Sequence, residues 1–490
     1  MFRIVRFWRR LGHARFRFVS RLKLATVFAG LLAFVFLALP SPALSGVRRA
    51  VVSRGGTRST RSAAGDLWPT FGHDPAHSGV SSDTSVTASA APGLTEGWSA
   101  SLGANAQSSP AIAHRTNLAE TLVYDVTTTG VVSAFNATSG APVWQQSVGA
   151  VYGSSPAVYK GTLYVGTMSG TLEALDADTG AVQCTFTVPV IPPATSPGRL
   201  ISSPVVGNVD GTGPTVFIGD AGIQPAGDPD DIVNGGHFWA ITGVGNTAGG
   251  CQEKWMYDAW PNKGNGDQTG VWDEPALARN SLGSWEVVFG TANPDRSVYA
   301  LNAASGSLLW RFQTQYKGRD EDVGAGPTIG LPGTNGFADG VVYIDGKDGI
   351  EYALDLLTGK NLTTGKPIWQ YTLGDGTRKS NAVSEAALSG NTLVVCYGTT
   401  IYAFNAATGA VIWQATAGAR VQASPAVSGP PGNQVVFVGD ISGTEYGFNL
   451  DTGAQVFAAL TSGKLQASAV VAGGVLYFSN GHTLYTYGPS

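Results

Sequence analysis

One motif recurs eight times along this chain, and the repetition limits the fold more than any other feature. Each unit opens on a Ser-Pro-Ala-Val-like strand, passes through a Leu-Tyr-Val-Gly-like strand and a glycine turn, and then reads Tyr-Ala-Leu-Asp. It closes on x-Thr-Gly-x-x-x-Trp. The opening element falls at Pro110, Pro156, Pro204, Pro275, Pro327, Ala386, Pro425 and Ala469, at spacings of 39 to 71 residues. Four places after the turn glycine stands Trp144, Trp310, Trp369, Trp413 or Phe457, with Cys184 in the second unit. The strands alternate apolar and polar residues over four to six positions, the period of a half-buried strand. Four such strands per unit describe a propeller blade. Corners at Asn136, Asp176, Asn302, Asn405 and Asn449 suit tight turns, because Asn or Asp caps locally and the following Gly accepts positive φ. The Trp after each corner is expected on the outermost strand, packed against the neighbouring blade.

The eighth unit runs only to its third strand, Thr483–Tyr487, while Leu94–Leu102 carries a Trp-bearing strand ahead of the first unit. The expected fold is therefore all-β, an eight-bladed β-propeller of four-stranded antiparallel blades closed by an N-terminal strand in the last blade. Closure removes the exposed edges on which sheets aggregate. Composition agrees: 66 Gly and 26 Pro serve many turns, and 13% charged with 10% aromatic residues excludes a disordered chain or a coiled coil.

Charge is unevenly placed. Thirteen Lys and Arg precede Asp66 with no acidic residue among them, whereas 34 acidic and 17 basic residues follow. So acidic a body repels phosphate backbones, and no nucleic-acid partner is expected. The basic head leads into an apolar run, Leu24 to Leu39, too short for a comfortable membrane span, followed by small residues up to Ser45. Residues 1–45 read as a signal peptide, with an uncleaved N-terminal anchor as the alternative, and membrane contact is expected only through that segment. Residues 46–65 read as a polar basic linker, and 66–490 as the propeller with an entry segment at 66–93. The protein is expected outside the cytoplasm: secreted, at the cell surface or periplasmic. Cys184, Cys251 and Cys396 are too few for a disulfide framework. They read as isolated buried thiols, with a Cys184–Cys251 pair as the alternative.

The Trp-bearing Tyr-Ala-Leu-Asp-x-x-Thr-Gly repeat, together with WPTFGHDPAHSG at Trp68–Gly79, resembles the pyrroloquinoline quinone (PQQ) type of eight-bladed propeller. Cofactor-free scaffolds, including an outer-membrane assembly propeller, share this repeat, so the site has to carry any functional claim. TGVWDEPAL…WEVVFGTANP at Thr269–Pro294 is similar to a segment of the quinoprotein alcohol dehydrogenases. That resemblance implies Trp272 as the flat floor under the quinone and Asn293 as a calcium ligand. It also implies Asp295 as the catalytic base and a further metal ligand. DGKDGIEYALDLLTG at Asp345–Gly359 resembles the stretch that places a quinone-contacting base on Lys347. The family's adjacent Cys-Cys pair is absent, and its metal-binding Glu falls on Gln224, a neutral and weaker ligand. His73 and His77, with few other His in the chain, are not read as metal ligands.

Two functional readings follow. In one, the protein is an exported PQQ- and calcium-dependent dehydrogenase for an alcohol, polyol or sugar hydroxyl. It passes electrons to a separate acceptor, because no haem-attachment motif is present. In the other, it is a cofactor-free propeller scaffold that binds a protein or a polysaccharide.

Overall fold

The computed structural model describes residues 67–116, 119–191, 195–222, 235–259, 269–315, 322–374 and 384–489, and the backbone of 52–54. The expected signal segment and Gln224 lie outside the described residues. The described residues form an eight-bladed propeller of antiparallel sheets, the first seven blades each built from strands consecutive in sequence. In the fourth blade, for example, the strands are Ala276–Arg279, Trp285–Gly290, Ser297–Asn302 and Leu308–Gln313. First strands of successive blades contact one another and surround the central channel.

Closure is as the sequence implies. Leu94–Ser101 is the outer strand of the eighth blade and pairs with Thr483–Pro489, setting Glu96 opposite Tyr487 and Ala100 opposite Leu484. A short strand, Val52–Arg54, extends the same sheet and pairs with Leu94–Ser101. It falls within the segment expected to be a linker.

The blades are joined by one repeated contact. Each outer-strand Trp donates its indole N–H to a backbone carbonyl in the next blade and lays its ring on that blade's turn glycine. Trp144 bonds Ala177 O at 3.0 Å and covers Gly180; Trp369 bonds Ala406 O at 2.9 Å and covers Gly409. Glycine is required there twice over. Gly180 and Gly409 have φ of +75° and +70°, and a Cβ would stand 2.5 and 2.7 Å from the indole. Trp98, Trp255, Trp310 and Trp413 make the same contact. Trp98 makes it across the closing junction, onto the first blade.

The junction between blades two and three departs from the pattern. Cys184 and Cys251 form a disulfide, which corrects the reading of both as isolated thiols. Cys396 remains a buried free thiol.

Candidate functional site in the central channel

The residues just before each Ser-Pro element form stacked rings along the channel. The middle ring holds the residue immediately before each Pro or Ala: Ser109, Ser155, Ser203, Glu274, Gly326, Glu385, Ser424 and Ser468. Backbone N–H groups of one blade donate to the side-chain oxygen of the next, as in Ser109 N to Ser155 Oγ at 2.9 Å and Ser155 N to Ser203 Oγ at 2.9 Å. Ser424 to Ser468 and Ser468 to Ser109 carry the series round, each at 2.8 Å. Short hydroxyl side chains suit this position because each satisfies a buried neighbour's N–H without filling the channel.

Two residues earlier lies the outer ring. Gln107 Nε2 donates to Gln466 Oε1 at 3.2 Å, and Gln466 Nε2 donates to Gln422 Oε1 at 3.3 Å. Buried Oε1 of Gln107 has no partner. Trp272 holds the equivalent position in the fourth blade, and Gly324 in the fifth makes room for it, since a Cβ there would stand 2.2 Å from the indole edge.

The entry segment closes the other side. Between Trp68 and Ser81 it crosses the channel and pairs with the inner strands of six blades. Its Pro69, Pro75, Ala76, Ser78 and Gly79 carbonyls accept from the backbone N–H of Val158, Leu277, Ile329, Leu388 and Val427, while Trp68 pairs with Ile112. The space between strap and outer ring is a cavity of about 190 Å³ lined by Phe71, Tyr152, Trp272, Glu274, the three glutamines and ring serines.

At the strap end, acid replaces serine in the middle ring. Glu274 and Glu385 flank Gly326, whose missing side chain leaves the room they use. His77 of the strap, 1% exposed, sits with Nδ1 2.5 Å from Glu385 Oε1. Burial pushes the His77 imidazole down to about 4 and lifts the Glu385 carboxyl well above its usual range. The contact is therefore a neutral hydrogen bond rather than an ion pair. Burial, with the Glu385 carboxyl adding to it, pushes Glu274 up to about 8.

The residues singled out by sequence separate here. Trp272 faces the cavity, and Lys347 places its ammonium over the indole, 5.3 Å from the ring centroid. That ammonium also bonds Asp322 Oδ2 at 2.5 Å, and Asp322 Oδ1 accepts from the backbone N–H of Asn293 at 2.8 Å. Asp322 thus ties Lys347 to Asn293, a role nothing in the sequence signals. Asp295 stands apart. Its carboxylate is fully buried, accepts from Thr291 Oγ1 at 2.7 Å and from Ser297 Oγ, and is paired with Arg311 of the outer strand. Those partners, and the lack of any exposed surface, turn it away from a ligand in the channel.

The family model for the outer membrane protein assembly factor BamB matches residues 82–230 and 361–487, more than half of the chain. The chain belongs to the BamB family. No curated protein sequence matches it. Among solved structures it is similar to quinohemoprotein alcohol dehydrogenase from Comamonas testosteroni. There the TM-score is 0.69 at 16% identity, covering 87% of this chain and 81% of that one. A europium-containing methanol dehydrogenase gives 0.67 at 14% identity, covering 86% and 98%. BamB from Moraxella catarrhalis gives 0.53 at 19% identity, covering 81% and 97%. At these identities the likeness is one of fold.

In this BamB-family propeller the described residues do not fit calcium at the Asn293 position. Asp295 is committed to Arg311, and Asp322, which accepts from the Asn293 N–H, already neutralises Lys347. A metal ion there would meet an ammonium instead of an open carboxylate. Nor does the cavity suit a quinone bearing several carboxylates, since its described lining contains no Lys or Arg to receive them.

Proposed function

We propose that this BamB-family chain is an extracytoplasmic binding propeller whose central cavity takes a neutral, hydroxyl-rich ligand such as the end of a polysaccharide. The observation that carries the reading is the cavity's chemistry. Its described lining offers an indole wall, amides and hydroxyls that both donate and accept, no Lys or Arg, and one carboxyl held neutral up to about pH 8. Sugar rings present an apolar C–H face to stack on Trp272 and a hydroxyl edge to engage the glutamines. An extracytoplasmic setting is supported by the Cys184–Cys251 disulfide, since disulfides persist in oxidising compartments, and by the signal-like sequence of the head.

The quinoprotein dehydrogenase reading keeps one supporting observation, the Lys347 ammonium over the Trp272 ring. Calorimetry on the mature protein separates the two, with neutral oligosaccharides in one series and PQQ with and without calcium in the other. Saccharide binding that Trp272→Ala weakens at least tenfold supports the binding propeller. Tight PQQ binding that requires calcium overturns it.

A further inference from the structure

We propose that Asp345 and Glu351 of the fifth blade form a site for a divalent oxygen-seeking cation, of the calcium class, between blades five and six. The site is separate from the central cavity and from the Asn293 position.

The two residues are cross-strand neighbours, Asp345 on Val341–Gly346 and Glu351 on Ile350–Asp355. Val341, Tyr343 and Ala353 lie on the same faces of these strands and pack with Leu393 and Val395 of the sixth blade. Alternation along the strands therefore directs both carboxyls to that junction. Neither is accessible, at 3% and 0% exposure. Three of their four oxygens, Asp345 Oδ2 and both of Glu351, have no hydrogen-bond partner. Tyr397 of the sixth blade closes the space, its hydroxyl 3.0 Å from where a Cβ of Gly349 would stand.

Two carboxyls this close and buried, with three of four oxygens lacking a donor, carry a large desolvation cost. Lys347, between them in sequence, directs its ammonium to Asp322, and the Asp348 carboxylate is engaged by Tyr352 and the backbone N–H of Ile350. Burial first, then repulsion from Asp348 on Asp345 and from Asp345 and Asp348 on Glu351, raises both acids well above the carboxylate range, so without a cation they are held neutral. Two carboxylates balance one divalent ion, and an all-oxygen donor set favours calcium or magnesium over softer metals. Backbone carbonyls and water would complete the coordination. Glu445 of the seventh blade is a built-in comparison: it too is fully buried with both oxygens unpartnered, but it faces Gly439 across the strands instead of a second carboxyl. One carboxyl alone is expected to stay protonated and metal-free.

The test compares thermal melts of the mature protein in EDTA, in about 5 mM calcium chloride and in about 5 mM magnesium chloride. Wild type is expected to gain about 3 °C or more with at least one of the ions. Glu351→Gln and Asp345→Asn should each abolish that gain, while Glu445→Gln keeps it. The near-isosteric amides preserve shape, and direct calcium titration by calorimetry on the folded variants gives a second readout. No shift and no calorimetric binding in wild type overturns the site. So does a shift that survives in both carboxamide variants. A melt that falls with rising pH, is flattened by Glu351→Gln and ignores both ions overturns it too, in favour of a protonated pair.

Discussion

Cys184 occupies the place of the outer-strand tryptophan in the second blade, and Cys251 occupies the place of the turn glycine in the third. Cys251 adopts φ of +52°, the left-handed conformation that glycine holds at the other corners, and its N–H bonds Thr242 O as the corner glycines bond their Asn or Asp carbonyls. A covalent bond has replaced an indole-on-glycine contact at the same point of the repeat.

Replacing both cysteines by serine should therefore lower stability. Loop-closure entropy for a sequence separation of 67 residues corresponds to about 4 kcal/mol. Denaturant melts of the double variant against oxidised wild type measure the loss. Equal midpoints would mean that packing alone holds this junction.

The strap and the closing strand are separable. A chain beginning at Ser82 keeps Leu94–Ser101 but lacks the segment that caps six inner strands, and it should melt cooperatively at a lower temperature. A chain beginning at Asn105 loses the outer strand of the eighth blade too, exposing the edge of Thr483–Pro489. Aggregation or loss of a cooperative transition is expected. A soluble Asn105 chain with the wild-type melt would mean that the ring is held shut elsewhere.

Blade number, blade order and closure were legible because each rests on a local pattern repeated in sequence. The Trp255 contact was not, since the corner glycine that marks it elsewhere is Cys251 here. The strap was illegible for a different reason. WPTFGHDPAHSG has no strand periodicity, and its backbone partners are single residues on six separate blades. At the site, Trp272 and Lys347 follow from a matched motif, whereas Asp322 reaches them through a loop with no motif of its own. Glu274 and Glu385 become neighbours only because Gly326 stands between them in the ring.

Stability should fall as pH rises through the neutral range. Unfolded, Glu274 ionises near 4.5, but folded it holds its proton up to about 8, so the folded state binds more protons over that interval. That differential removes at most about 1.4 kcal/mol per pH unit, complete above the folded value. His77 acts oppositely, its stabilisation being lost as pH falls from about 6.5 toward 4. Between pH 6.5 and 8 the carboxyl slope stands clear of it. Glu274→Gln should flatten that part of the profile in chemical denaturation at several pH values. An unchanged slope would show that Glu274 is ionised in the folded protein.

Asp295 and Trp272 should fail in opposite ways when replaced. The Asp295 carboxylate is buried against Thr291, Ser297 and Arg311, so Asp295→Ala strands the Arg311 guanidinium and two hydroxyl donors. Breaking a buried pair by removing one partner costs about 3–5 kcal/mol, moderated here because Arg311 is 38% exposed on its side chain. Ligand affinity of the folded variant should stay within about twofold, since no Asp295 atom reaches the cavity. Trp272→Ala removes a cavity wall and leaves the blade junctions intact, because the junction tryptophan of the fourth blade is Trp310. Its melting temperature should change little while saccharide affinity drops at least tenfold. Melting and calorimetry on both variants read the two effects together. A stable Asp295→Ala protein that has lost binding would return Asp295 to the site, and a destabilised Trp272→Ala protein with intact affinity would make the indole a packing residue.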